Sequence, residues 1–246
     1  MKTLALIALA GAASGALADV SSESAGQFAG AMSIDYRTGA PTPGTPRFQG
    51  TAYSNVLGTT IRAFSSTDLS ADYGDRLTTV GTGTLDAFTF GLFNSGTSAG
   101  PLGSATVDIA FFRGVDGSPL GGFGVNTGAI NLAQGFFTLL TISGLSGLGI
   151  DLDTTDIIFT QSIRTGTITG GATRTGVVSL EPIQIGSAIP QLYINATTVG
   201  AAGFYNITSA GVPVNFFLGA QIDVVPAPAS AALLGLGGLV ATRRRR

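Results

Sequence analysis

The apolar residues of this 246-residue chain come in short runs bounded by turn-forming residues, and that pattern restricts the fold more than any motif does. "GTLDAFTFGLF" sets Leu85, Ala87 and Thr89 against Phe88 and Phe90 on the opposite face of an extended strand. "ATVDIAFF" turns Val107, Ile109 and Phe111 one way and Asp108 and Ala110 the other. "GFFTLLTI" and "TDIIFTQSI" are apolar on both faces and read as buried strands, and "RTGVVSLEPIQI" and "NFFLGAQIDV" continue the series. Between them lie "NSGTSAGPLG", "VDGSPLGG" and "TGTITGGAT", which carry turn chemistry. Between residues 19 and 225 there is no Lys, and the only Glu are Glu23 and Glu181, so two of the better helix formers are nearly absent. The expectation is an all-β chain folded as an antiparallel β-sandwich, jelly-roll-like. The alternative, a β-solenoid, requires a fixed repeat, and the glycines show none.

The two ends do not fit such a core. Lys2, the apolar run Leu4 to Ala13 and the small-x-small step Ala16-Leu17-Ala18 have the layout of a secretory signal peptide cut before Asp19. The run is shorter than the ~20 residues of a spanning helix, which disfavours an N-terminal anchor. At the other end, Val225-Pro226-Ala227-Pro228 precedes an apolar or small stretch from Ala229 to Thr242, then Arg243, Arg244, Arg245 and Arg246. This stretch reads as a short hydrophobic helix, below the ~17 residues that span a bilayer comfortably. Positive charge behind it holds that end in the cytoplasm while the body is translocated. Residues 1–18 are thus expected to be a signal peptide, 19–224 a β-sandwich domain and 225–246 a tail that marks topology.

This tail resembles the PEP-CTERM sorting signal, in which a Pro-Glu-Pro motif, a hydrophobic segment and a basic cluster follow in that order. Ala227 stands where that family carries Glu. The resemblance covers about the last two dozen residues. It implies an exported bacterial protein, inserted transiently in the inner membrane through the tail and processed by an exosortase-like enzyme after signal peptidase. Its destination would be the cell envelope or an extracellular matrix, with extracellular polysaccharide as the associated partner. The alternative is a permanently anchored envelope protein. From Tyr73 to Ile163 the chain also looks like the β-rich bodies of such proteins, with Gly74-Asp75 near the start and a strand ending in Phe111-Phe112-Arg113-Gly114-Val115-Asp116-Gly117. That likeness implies no particular activity.

Composition narrows the chemistry further. Seven arginines between residues 19 and 225 face all 14 acidic residues, a balance unsuited to binding nucleic acid. The terminal arginines abut an apolar segment and read as topology, not as a phosphate site. With no Cys there is neither a disulfide framework nor thiol chemistry. With no His there is no Ser-His-Asp arrangement, and no ordinary zinc or haem site. A glycosidase needs two carboxylates across a cleft, and Glu181 has no second Glu nearby. The reading is a non-enzymatic protein with no catalytic or cofactor-binding residues and no resident cofactor.

Asp151, Asp153 and Asp156 in "GIDLDTTD" supply hard oxygen ligands of the kind calcium takes, as a structural ion on a loop. The other reading is a solvated turn whose aspartates cap backbone donors. Asp68, Asp72 and Asp75 form a similar, sparser group. A carbohydrate-binding module is the rival function. It would rely on aromatic faces, and with no Trp present Tyr193 and Tyr205 are the candidates, against a reading of both as core or rim. The triplets at Asn195 and Asn206 fit a glycosylation pattern that arises readily in a Thr-rich chain, and both asparagines read as surface residues.

Overall fold

A strand that is apolar on alternate residues must press one face against a second sheet, and the chain solves this with two sheets wrapped on one core. The computed structural model describes residues 27–39, 41–42, 50–66, 71–164, 168–196, 201–209 and 212–226. Ala16, Ala18, Asp19, Ala227, Pro228 and Arg243 to Arg246 lie outside the described residues. Among the described residues no helix is long and apolar enough to cross a membrane.

The principal strands are β1 (Gln27–Asp35), β2 (Thr51–Ser54), β3 (Thr60–Ser66), β4 (Asp72–Thr78), β5 (Gly83–Asn94), β6 (Thr106–Arg113), β7 (Pro119–Asn126), β8 (Phe136–Ser143), β9 (Asp156–Ile163), β10 (Thr175–Glu181), β11 (Leu192–Asn195), β12 (Gly203–Tyr205) and β13 (Ala220–Val225). Strands β3 to β10 build two faces in the orders β3-β10-β5-β8 and β4-β9-β6-β7, every pairing antiparallel. The chain changes sheet at each step except the β6–β7 hairpin, so the two orders nest as the Greek keys of a jelly roll. Strand β1 adds to β8 in parallel, and β11 and β12 extend the second sheet beyond β4.

Phe88 fastens the two sheets. Its ring, carried on β5, meets Phe111 of β6 and Phe159 of β9 at 5.3 Å each, edge to face. Aromatic pairs in this geometry are worth roughly 0.5–1.5 kcal/mol beyond their burial. Val107, Ile109 and Phe111 lie in the same core, as the alternation of β6 requires. The expected alternation of β5 holds only in part, because Leu85 shares the core with Phe88 and Phe90. A register shift opposite Leu85 and Ala87, where β13 pairs with β5, inserts Asp86 as an extra residue and swings Leu85 inward.

The first sheet forks. Strand β10 pairs with β5 only at Thr175 and Gly176. Beyond that point Phe217 to Ala220 enter between them, and β13 then takes the edge of β5 with β2 on its other side. The Val178 side chain occupies the place of a side chain on Gly91, whose Cβ would lie 2.3 Å from Val178 Cγ2. A second apolar cluster, holding Phe93, Phe137, Leu139, Val178 and Leu180, is formed by β5, β8 and β10 beside the fork.

A buried wedge of backbone must find a partner for every polar group. Ser179 Oγ accepts the Phe217 N–H at 3.0 Å, and Asp75 Oδ2 accepts that of Leu218 at 2.9 Å. The Gly219 N–H donates to Val178 O at 2.8 Å, and Gly219 O accepts from the Gly91 N–H at 3.2 Å. Asn55 completes the set: its Oδ1 accepts the Ala220 N–H at 2.8 Å, and its Nδ2 donates to Leu180 O at 3.0 Å and Leu218 O at 2.9 Å. Truncation of Asn55 to Ala leaves several of these buried groups unpaired, each worth about 1–3 kcal/mol. Asn55→Ala is therefore expected to lower unfolding free energy by about 3–5 kcal/mol in urea titration. A loss below about 1 kcal/mol would show that water substitutes for the amide.

Candidate functional site

The register places one set of loops together at one end of the sandwich. Thr78 pairs with Asp156 and Arg113 with Ile157, which brings residues 79–82 and the 114–118 turn to the same end. Ser143 pairs with Ala87 and Asp151 with Thr84, which adds residues 144–150. Val225, the last residue of β13, also pairs with Thr84. The chain therefore leaves the sandwich at this end, through Pro226. Its exit is held by close backbone packing: a Cβ on Gly50 would lie 2.6 Å from Val224 O, and one on Gly83 2.4 Å from Val225 O.

The three aspartates expected to form a calcium loop all reach this end, but their carboxylates go separate ways. Asp151 starts a two-residue strand with Leu152, paired to Thr84 and Gly83, and is exposed. Asp153 takes a two-point contact from Arg113, Nε to Oδ1 at 3.1 Å and Nη2 to Oδ2 at 2.5 Å. Asp156 opens β9 and takes the same kind of contact from Arg76, at 2.9 and 2.6 Å. The Arg113 guanidinium holds the Asp153 carboxyl below its ordinary value. Gly114 makes room for the second pair, since a Cβ there would lie 2.0 Å from Asp156 Oδ1. Among the described residues no three His, Cys, Asp or Glu side chains gather as a metal site. With Arg113 and Arg76 in place, millimolar calcium or EDTA is expected to leave the melting temperature unchanged; a rise with calcium would mean the carboxylates exchange arginine for the ion.

The second acidic group disperses as well. Asp68 lies outside the described residues. Asp72 accepts Asn195 Nδ2 at 2.9 Å at the edge of β4, whereas Asp75 of the same strand points into the fork and is fully buried. Asp75 Oδ1 and Tyr53 Oη are buried without a hydrogen-bond partner. Burial pushes the Asp75 carboxyl well above its ordinary 3.8, with the Leu218 N–H opposing the shift. Burial also raises the Tyr53 phenol, and the Asp75 charge adds to it. Nothing in "YGDRL" distinguishes this Asp from a surface one; only the topology brings Leu218 to it.

Other candidates resolve as packing. Tyr205 belongs to the main core, and Tyr193 is buried with its ring 5.5 Å from that of Phe204. Glu181 is paired with Arg62 at 3.2 Å. An open cleft of about 430 Å³ runs between β1 and β7, lined by Met32, Ile34, Tyr36, Val125, Asn126 and Thr127. Comparison with protein-family models, with curated proteins and with solved structures finds no match.

The buried Asp75 carboxyl makes stability depend on pH. Its folded value lies above its unfolded one, so the folded chain keeps a proton that the unfolded chain releases above about 3.8. That proton's stabilisation is complete below the unfolded value and is lost as pH rises through the folded one. Asp75→Asn keeps an oxygen for the Leu218 N–H and removes the titration. It is expected to be more stable than the parent at neutral pH, by about 1.4 kcal/mol for every tenfold difference in proton affinity between the folded and unfolded chains, and equal to it near pH 3. Parallel urea titrations across pH 3–8 check this; parallel curves at constant offset would contradict it.

Proposed function

We propose that this chain is an exported surface or matrix protein whose β-sandwich works by binding, not catalysis. In this reading signal peptidase cuts after Ala18, the Ala229–Thr242 segment holds the chain in the inner membrane, and an exosortase-like enzyme removes the tail at the Pro226-Ala227-Pro228 motif. The observation that carries the reading is the position of that motif. The last strand among the described residues pairs as far as Val225, and Pro226 follows with no spacer, so the sandwich runs directly into the stretch read as a sorting signal. The lack of His and Cys supports binding as the mode of action, because the commonest nucleophile–base pairs are missing from the sequence.

Intact mass with terminal peptide mapping of protein from cells and medium tests this. A product beginning at Asp19 and ending near Pro228 is expected. A membrane-fraction product that retains Arg243 to Arg246 would make the segment a permanent anchor.

A second reading, a polysaccharide-binding module, is favoured by the cleft between β1 and β7. Tyr36 lines it half-buried with the exposed Asn126 also in the lining, a ring and an amide of the kind that contact sugars. Retention on matrix polysaccharide is expected to be lost in Tyr36→Ala and kept in Tyr193→Ala if this reading holds.

A further inference from the structure

Seven large apolar side chains are exposed among the described residues, and four of them sit at the end from which the tail leaves. Val80 is 68% exposed, Val115 75%, Leu148 39% and Val225 48%. They come from both sheets: Val80 follows β4, Val115 caps the β6–β7 turn, Leu148 closes the turn after β8, and Val225 ends β13. Isolated apolar residues on a surface are ordinary, but several on neighbouring loop tips at one end are a candidate contact surface.

We propose that this end of the sandwich is a membrane-contacting surface that rests on a zwitterionic lipid interface while the tail is inserted. The proposal rests on the tail-insertion reading above and adds to it an orientation and a lipid class. Pro226 is followed by two residues before the apolar segment begins at Ala229, a reach of roughly 10 Å from Pro226 to Ala229 at ~3.3–3.6 Å per residue. An inserted segment therefore holds this end, and no other, against the headgroups. Four side chains bind a bilayer weakly on their own, but a short tether makes the contact intramolecular and raises its effective concentration. Exposed carboxylates at the same end, Asp116 and Asp151, outnumber the exposed Arg37 there and disfavour anionic lipid. Zwitterionic headgroups carry no such penalty.

The chain contains no Trp, so single tryptophans report without background. Val115→Trp and Leu148→Trp replace exposed side chains at this end, and Phe28→Trp places the probe at the opposite end, where Phe28 pairs with Phe137 and Phe137 with Phe93. Each variant, as residues 19–246, is reconstituted with vesicles of phosphatidylcholine, with and without bromine on the acyl chains, after thermal melts confirm parental stability. The expected result is a blue shift and loss of emission at positions 115 and 148 in brominated vesicles, with position 28 unchanged. Both effects should weaken when phosphatidylglycerol is mixed in at low salt, and recover at high salt. Chains that float with the vesicles but show no quenching at 115 and 148 would overturn the proposal and leave the tail reading intact. Chains that do not float would overturn both. Equal quenching with and without phosphatidylglycerol would overturn the assigned lipid class.

Discussion

Asn55 is where the jelly roll and the exit of the chain depend on each other. The wedge from Phe217 to Ala220 enters between two paired strands, which a chain can do only if they part and every exposed N–H and C=O is met from elsewhere. The Asn55 amide meets both kinds of group at once, accepting from Ala220 and donating to Leu180 and Leu218. Asp75 comes from the opposite sheet to hold Leu218. The fork is therefore tied to both layers, and β13 runs from it along β5 to the end where the tail departs.

The apolar part of the fold follows from simpler rules. Phe88, Phe111 and Phe159 interlock because three strands with inward phenylalanines are brought together by the two nested strand orders. Gly91 shows the limit of that simplicity. A residue larger than glycine there collides with Val178, a stiff β-branched side chain, so the fork needs both the missing Cβ and the polar knot.

Much of this architecture is legible in the sequence, because a half-buried strand writes its two faces as alternation and a buried one as a short apolar run. β6, β8 and β9 lie where "ATVDIAFF", "GFFTLLTI" and "TDIIFTQSI" place them. The bulge at Asp86 is not legible, since an inserted residue leaves an alternating pattern looking intact. The roles of Asn55 and Asp75 are hidden for a different reason: their partners are more than 120 residues away, and a lone polar residue at a strand end reads as solvated. The same holds for "GIDLDTTD". Three aspartates close in sequence suggest one ion, but cross-strand register delivers Arg113 and Arg76 to two of them. The arginines sit 40 and 80 positions upstream of their partners. Spacing along the chain carries no trace of that.

The wedge is an integral part of the core and not a loop laid on it. Native-state hydrogen exchange of the Leu218 and Ala220 amides reports on this. Both are expected to exchange only through global unfolding, with the protection of Phe88 and Phe159. Exchange at the rate of the exposed Val115 and Asp116 amides would contradict it, since the fork could then open while the jelly roll stayed folded.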